Sequence, residues 1–282
     1  MRIPMSCMKC PFELNTVISL GEIELNDSRI YSYKCTNDHL NIMFLQNQKY
    51  DILFELAIKA FQDGYYNQAV FSFMASLERF HEFCIRVMMF DKHKDNQQSN
   101  FFESFEKMWK MVKKQSERQY GMFISMYFSS FGKMPKETVN IKMSSAKKNI
   151  INYRNDVIHN GLFSNHEEAF EFGELVANYM KETVNVLRTE LTNESIVDFG
   201  AKEQENIKLD FYEKNQNYSE GLSSTQTLSS YMSLALTEFP QFQSYLMSGE
   251  TAFDQFRLIM QQEGLEYKSS KEEKDYKIIS MV

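Results

Sequence analysis

A chain of 282 residues has room for one large domain or two smaller ones. Its 43% hydrophobic content, with 24 Phe and 15 Tyr, excludes global disorder, and 10 Gly with 4 Pro leave few turns and no Pro-rich linker, which points to a mostly helical protein. The net charge of −7 excludes a general nucleic-acid coat, yet residues 101–153 carry 10 basic against 4 acidic side chains and residues 201–282 carry 8 against 13. The predicted elements fall into three stretches, 1–48, 49–199 and 200–282.

The first stretch holds Cys7-Met-Lys-Cys10, then 24 residues, then Cys35-Thr-Asn-Asp-His39. A two-residue gap lets both thiolates of one turn reach one ion, and the second pair completes a tetrahedron, so Cys7, Cys10, Cys35 and His39 are candidate zinc ligands. Alternating runs at Asn15–Leu20 and Ile30–Lys34 predict strands, with Gly21 and Asn26-Asp27 as turns. So short a unit lacks an apolar core of its own, and structural zinc contributes on the order of 10–16 kcal/mol of apparent binding energy in small peptides. Four protein ligands leave no open position, so the metal is read as structural, and the region resembles a zinc ribbon with His39 in place of a fourth Cys.

From Lys49 the apolar period becomes helical. Ile52, Leu53, Leu56, Ala57, Ala60 and Phe61 predict a helix that Gly64 ends. A second runs from Tyr65 to about Met89 on Ala69, Val70, Phe73, Leu77, Phe80, Cys84, Val87 and Met88, with Cys84 a buried small hydrophobe and His81 a satisfied, partly buried histidine in preference to a catalytic one. Asp91–Asn100 is a predicted loop. Phe101–Phe131 is a predicted single helix with Lys110, Lys113, Lys114 and Arg118 on its polar side, broken by Gly132 and Pro135.

A further predicted helix covers Lys142–His159 and stops at Asn160-Gly161. Ser164-Asn165-His166-Glu167 has the form of a capping box opening a helix that closes at Leu191–Asn193. Short loops between these helices imply an antiparallel bundle. The acidic tail predicts short helices at Leu228–Phe239 and Thr251–Gln262, a loop at Asn215–Asn217 and a frayed charged end from Lys268 to Lys277. The expected fold class is therefore mainly α, an antiparallel helical bundle with a small N-terminal zinc-binding β unit and a helical C-terminal appendage.

The stretch Tyr153-Arg154-Asn155-Asp156-Val157-Ile158-His159-Asn160-Gly161 concentrates the chemistry. An imidazole can move the proton of a ribose 2′-hydroxyl or of a leaving oxygen, and a guanidinium can hold a phosphate and offset charge built in the transition state. Asn155 can orient a ribose or phosphate, and Asp156 an imidazole or the guanidinium. On an ideal helix Arg154 and His159 lie about 140° apart. They need either a helix end between them or a second copy to meet.

This stretch resembles the R-x4-6-H motif of the HEPN superfamily, and the likeness covers roughly residues 49–195. The resemblance implies that Arg154 and His159 are the catalytic pair, that Asn155 is the variable polar position, and that Glu78 stands where some members place an acidic residue. It further implies an endoribonuclease that cuts RNA without metal, working as a homodimer, in antiviral defence or as a toxin. A regulatory or sensor partner would engage the zinc head or the C-terminal region. The competing expectation is a non-catalytic interaction or RNA-binding module. No stretch approaches the roughly 18 apolar residues of a membrane span. No leader is expected from Met1-Arg2-Ile3-Pro4-Met5, and a reducing cytoplasm is the expected setting.

Overall fold

The computed structural model describes residues 2–7, 10, 20–93, 101–215, 222–225, 265–268 and 277–280. The chain is mainly helical, with a small N-terminal β region. The described residues divide into two compact units: those up to Asn47 together with those from Phe211 onward, and Gln48–Asp210. Among the described residues no helix is long and apolar enough to cross a membrane.

In the first unit, β1 (Arg2–Ser6) pairs antiparallel with β2 (Leu20–Glu24). β3 (Ile30–Lys34) and β4 (Leu40–Leu45) form an antiparallel hairpin, and β5 (Ser223–Thr225) joins β4 in parallel. Period-2 alternation is visible in β3, where Tyr31 and Tyr33 are buried and Ser32 and Lys34 are exposed. The strand expected at Ile30–Lys34 is present; that at Asn15–Leu20 lies outside the described residues except for Leu20. A further antiparallel pair joins β6 (Leu265–Lys268) to β7 (Lys277–Ser280). The described parts of the tail beyond residue 222 are thus extended. Leu228–Phe239 and Thr251–Gln262 lie outside the described residues.

The second unit is built on α1 (Lys49–Gln62) and α2 (Tyr66–His93). The carboxylate of Asp51 accepts from the Gln48 N–H at 3.1 Å and so opens α1. Gly64 at φ +79° supplies the left-handed residue that separates the two helices. Phe54 packs edge-on against Phe73 at 4.9 Å and Tyr50 against Phe80 at 5.3 Å. Ser76 donates its hydroxyl to the Tyr50 carbonyl at 2.7 Å, so this polar group in the core is satisfied. The whole expected stripe of α2, Cys84 included, is buried.

The expected single helix at Phe101–Phe131 is two helices, α3 (Phe101–Val112) and α4 (Ser116–Phe131). Buried Gln119 holds the break: its Nε2 donates to the Lys113 carbonyl at 2.8 Å and its Oε1 accepts from Arg79 Nη2 at 2.6 Å. The expected helix at Lys142–His159 is shorter, α5 (Ile150–His159). Asn149 caps it by accepting from the Asn152 N–H at 2.7 Å. The preceding turn is held by Glu171, whose carboxylate takes the N–H groups of Ser144 at 2.6 Å and Ser145 at 2.9 Å.

The last helix, α6 (His166–Lys214), runs well past the stop expected at Leu191–Asn193 and through the expected boundary at residue 199/200. Its capping box sits one residue later than expected. Asn165 Oδ1 accepts from the Glu168 N–H at 3.0 Å, and Glu168 Oε2 accepts from the Asn165 N–H at 3.2 Å. Asp91–His93, expected as loop, completes α2, where Asp91 accepts from Ser195 at 2.6 Å. Gly173 lets α6 approach α2 closely, because a Cβ there would stand 2.7 Å from the Phe73 ring. Arg86 on α2 bonds Glu82, Glu106 on α3 and Glu203 on α6, and Glu203 also accepts from Gln48 at 2.6 Å.

Candidate functional sites

Cys7, Cys10, Cys35 and His39 come together in the first unit, with all four ligand atoms within 4.8 Å of one another. The β3–β4 turn carries two of them: the Asp38 N–H bonds the Cys35 carbonyl at 2.9 Å, and Asp38 takes φ +59°. Cys10 Sγ lies 3.7 Å from Cys35 Sγ, and His39 Nδ1 lies 3.3 Å from Cys10 Sγ and 3.8 Å from Cys7 Sγ. Sulfurs bound at about 2.3 Å around a tetrahedral zinc stand about 3.8 Å apart, so the donor set and its spacing fit zinc. Asn37 Nδ2 donates to Cys10 Sγ at 3.2 Å and Asn41 Nδ2 to Cys7 Sγ at 3.4 Å, which favours the thiolate form that a metal needs. Neither asparagine stands out in the sequence; their place beside His39 is their one signal. Tyr33 is buried against the cluster, and burial followed by the nearby Cys7, Cys35 and Cys10 pushes its phenol up.

The second candidate site lies on α5. Helical structure continues through His159, so the helix does not end between it and Arg154. The two side chains therefore leave the axis about 140° apart. Arg154 turns toward α2, with Nη2 3.8 Å from Glu78 Oε1 and Nη1 donating to Asn155 Oδ1 at 2.9 Å. Arg154 Nε and Glu78 Oε1 are buried and have no hydrogen-bond partner among the described residues. Burial raises the Glu78 carboxyl above its ordinary value, against the lowering pull of Arg154 and then Arg79. His159 is exposed, and its ring makes no hydrogen bond or ion pair among the described residues.

Asp156 is committed to neither Arg154 nor His159. Lys148 Nζ donates to it at 2.6 Å and Asn160 Nδ2 at 2.7 Å, and both bonds, Lys148 first, hold its pKa below the usual range. Beyond the helix, Gly161 takes φ +69° and the Leu162 N–H returns to the Asp156 carbonyl at 3.0 Å. The loop that follows is fixed to α2 by Asn67, which donates to the Leu162 carbonyl and accepts from the Ser164 N–H, each at 2.8 Å. Buried Tyr153 donates to Ser164 at 2.6 Å, and burial pushes its phenol up to about 12. Leu162 and Phe163 are nevertheless exposed, Phe163 to 89%. Asn67 is invisible to sequence reasoning, because its contact lies 95 residues away.

His81 is satisfied, as expected, but is buried in the core where only partial burial was expected. Its Nε2 lies 3.1 Å from the Tyr179 hydroxyl, its ring stacks on Phe123 at 4.5 Å, and burial followed by Arg79 lowers its pKa to about 3. Comparison with protein-family models, with curated proteins and with solved structures found no match for the chain.

Proposed function

We propose that the chain is a HEPN-type endoribonuclease that cuts RNA at a site shared between two copies. The helices from Lys49 to about Phe199 act in this reading as an antiparallel bundle carrying the motif. Zinc at Cys7, Cys10, Cys35 and His39 stabilises the N-terminal head and takes no part in the chemistry.

The observation that supports the reading most is the presence, on one short helix, of a guanidinium only loosely paired with a carboxylate and an exposed imidazole. A 3.8 Å separation between Arg154 and Glu78 is outside hydrogen-bond range, so Arg154 is attracted to the carboxylate without being locked to it. That leaves it able to turn onto a phosphate. His159 faces solvent at the end of α5. Since 140° separates the two around one helix axis, His159 of one copy works with Arg154 of the other. Exposed Leu162 and Phe163, next to His159, and Phe71, one turn beyond Asn67, offer apolar surface for that second copy.

The reaction balances without an outside reagent. One imidazole takes the proton of a ribose 2′-hydroxyl, the 2′-oxygen bonds to phosphorus, and the bond to the 5′-oxygen breaks. The leaving oxygen takes a proton, giving a 2′,3′-cyclic phosphate and a 5′-hydroxyl. Arg154 stabilises the charge on the non-bridging oxygens, and Asn155 steadies Arg154. Acid–base assistance of this kind is typically worth about 10²–10⁴-fold. Activity of this class fits a toxin or an antiviral effector.

One observation favours a non-catalytic interaction module instead: Arg154 and Asp156 both have ionic partners inside the chain, in Glu78 and Lys148. Expressing the wild type beside His159→Ala, scoring growth arrest and mapping RNA ends decides between the two. The nuclease reading expects arrest and cyclic-phosphate ends with the wild type only; identical RNA and growth in both strains would leave the interaction module.

A further inference from the structure

We propose that the corner between α3 and α4 is a docking track for the phosphodiester backbone of single-stranded RNA leading to Arg154. The proposal rests on the nuclease reading for its substrate class and extends it to residues outside the motif.

The corner carries Lys110, Lys113, Lys114 and Arg118, all exposed. Among the described residues, none of the four has a carboxylate in ion-pair range. Four other cations of the same basic stretch are neutralised within the chain: Lys107 by Glu103 at 2.6 Å, Lys133 by Glu190 at 2.5 Å, Lys136 by Glu182 at 2.8 Å and Lys148 by Asp156 at 2.6 Å. Lys142 and Lys147 are exposed and likewise have no carboxylate in ion-pair range among the described residues, so the corner holds the larger share, not the whole, of the uncompensated charge.

The helix ends account for only part of the arrangement. Lys110, Lys113 and Lys114 gather at the C-terminal end of α3, where the helix dipole favours a cation. Arg118 sits in the first turn of α4, where the helix dipole disfavours a cation. Glu117 offsets the dipole but pairs with none of the four. A local cluster of exposed cations with no carboxylate in ion-pair range suits an external polyanion.

The corner is also tied to the candidate site. Arg154 faces Glu78, and the next residue on α2, Arg79, donates to Gln119 at 2.6 Å. Gln119 in turn holds the Lys113 carbonyl at 2.8 Å. Arg79 also lies over the Trp109 ring of α3 at 5.9 Å, a second contact between the corner and this turn of α2.

The test uses the full chain carrying His159→Ala, so that RNA stays intact, and a fluorescein-labelled uridine oligonucleotide read by anisotropy over a range of salt. Neutralising Lys113, Lys114 and Arg118 to Gln is expected to weaken binding and to flatten the log K against log salt slope by about 2, at roughly 0.7 per phosphate contact on a single strand. The matched control neutralises Lys59, Lys133 and Lys136, each paired in the fold, and is expected to leave the slope in place. Circular dichroism verifies that both variants fold. An unchanged slope in the corner variant, or equal flattening in both, overturns the track. Binding with the expected slopes but no cleavage by the wild type removes the nuclease reading and leaves the track standing. Preference for a protein partner or a second copy over the oligonucleotide overturns it.

Discussion

Arg154 Nη2 on α5 stands 3.8 Å from Glu78 Oε1 on α2, and each side chain keeps a buried polar atom without a hydrogen bond. The pair is Coulombic and desolvated, so it is poised rather than closed. Burial, the largest influence on Glu78, raises its carboxyl, and Arg154 is the strongest influence holding it down.

That balance predicts a pH effect. A carboxyl raised from 4.5 keeps its proton in the folded chain after the unfolded chain has released it. Its contribution to stability is complete below that value and is lost as pH rises through the folded pKa. Arg154→Ala removes the chief lowering influence, so the loss should extend to higher pH than in the wild type. Adding Glu78→Gln should abolish it. Melting temperatures followed upward from pH 4 measure this, and identical profiles for the single and double variants would count against the pairing.

The opposite sign applies to His81. Its folded pKa, lowered from 6.5 to about 3, means that the unfolded chain takes up a proton the folded chain refuses. Stability from this residue is present above pH 6.5 and falls as pH drops toward 3, by on the order of 1.4 kcal/mol per pH unit. His81→Phe keeps a ring beside Phe123 while losing the bond to Tyr179. The variant should have a shallower acid slope in urea titrations, whatever its absolute stability.

Removal of metal should act on the N-terminal head. The chain is expected to bind one zinc, measured by elemental analysis, and Cys35→Ser to bind it far more weakly. Because a bound metal would tie the β3–β4 turn through Cys35 and His39, a chelator should expose residues 20–45 to protease. The fluorescence of Trp109, which is buried in the helical unit, should not change. Loss of the Trp109 signal in step with zinc release would show that the metal supports more than the head.

What could be read in advance followed the range of the interactions. The α2 stripe and the clustering of Cys7, Cys10, Cys35 and His39 were legible because each is fixed by spacing within one element or one pair of turns. The α3–α4 break was not, since no Gly or Pro marks Lys113–Gln115 and the turn depends on Gln119 reaching back to Lys113 and across to Arg79. Likewise, residues 142–149 carry a helix-like pattern, but Glu171, 27 residues beyond Ser144, takes the N–H groups there. The placing of Arg154 and His159 on one helix was legible, and their angular separation followed from the helical period. The commitment of Asp156 to Lys148 was not legible, because a carboxylate two residues from Arg154 and three from His159 offered three partners and sequence alone does not rank them.

The shared-site reading makes a prediction that activity of single variants does not. Arg154→Ala and His159→Ala should each be inactive alone. In a two-fold dimer that pairs Arg154 of one copy with His159 of the other, mixing the two variants rebuilds one intact site in each mixed dimer. With random exchange half of the dimers are mixed, so activity should return to about a quarter of the wild-type level. A site contained within one chain would give no recovery, because every chain in the mixture lacks one of the two residues. Equal amounts of the variants, co-expressed with different tags and purified through both, raise the mixed species to nearly all of the sample, and recovery should then approach about half. Absence of recovery with a demonstrated mixed dimer would overturn the shared site and leave Arg154 and His159 acting within one chain.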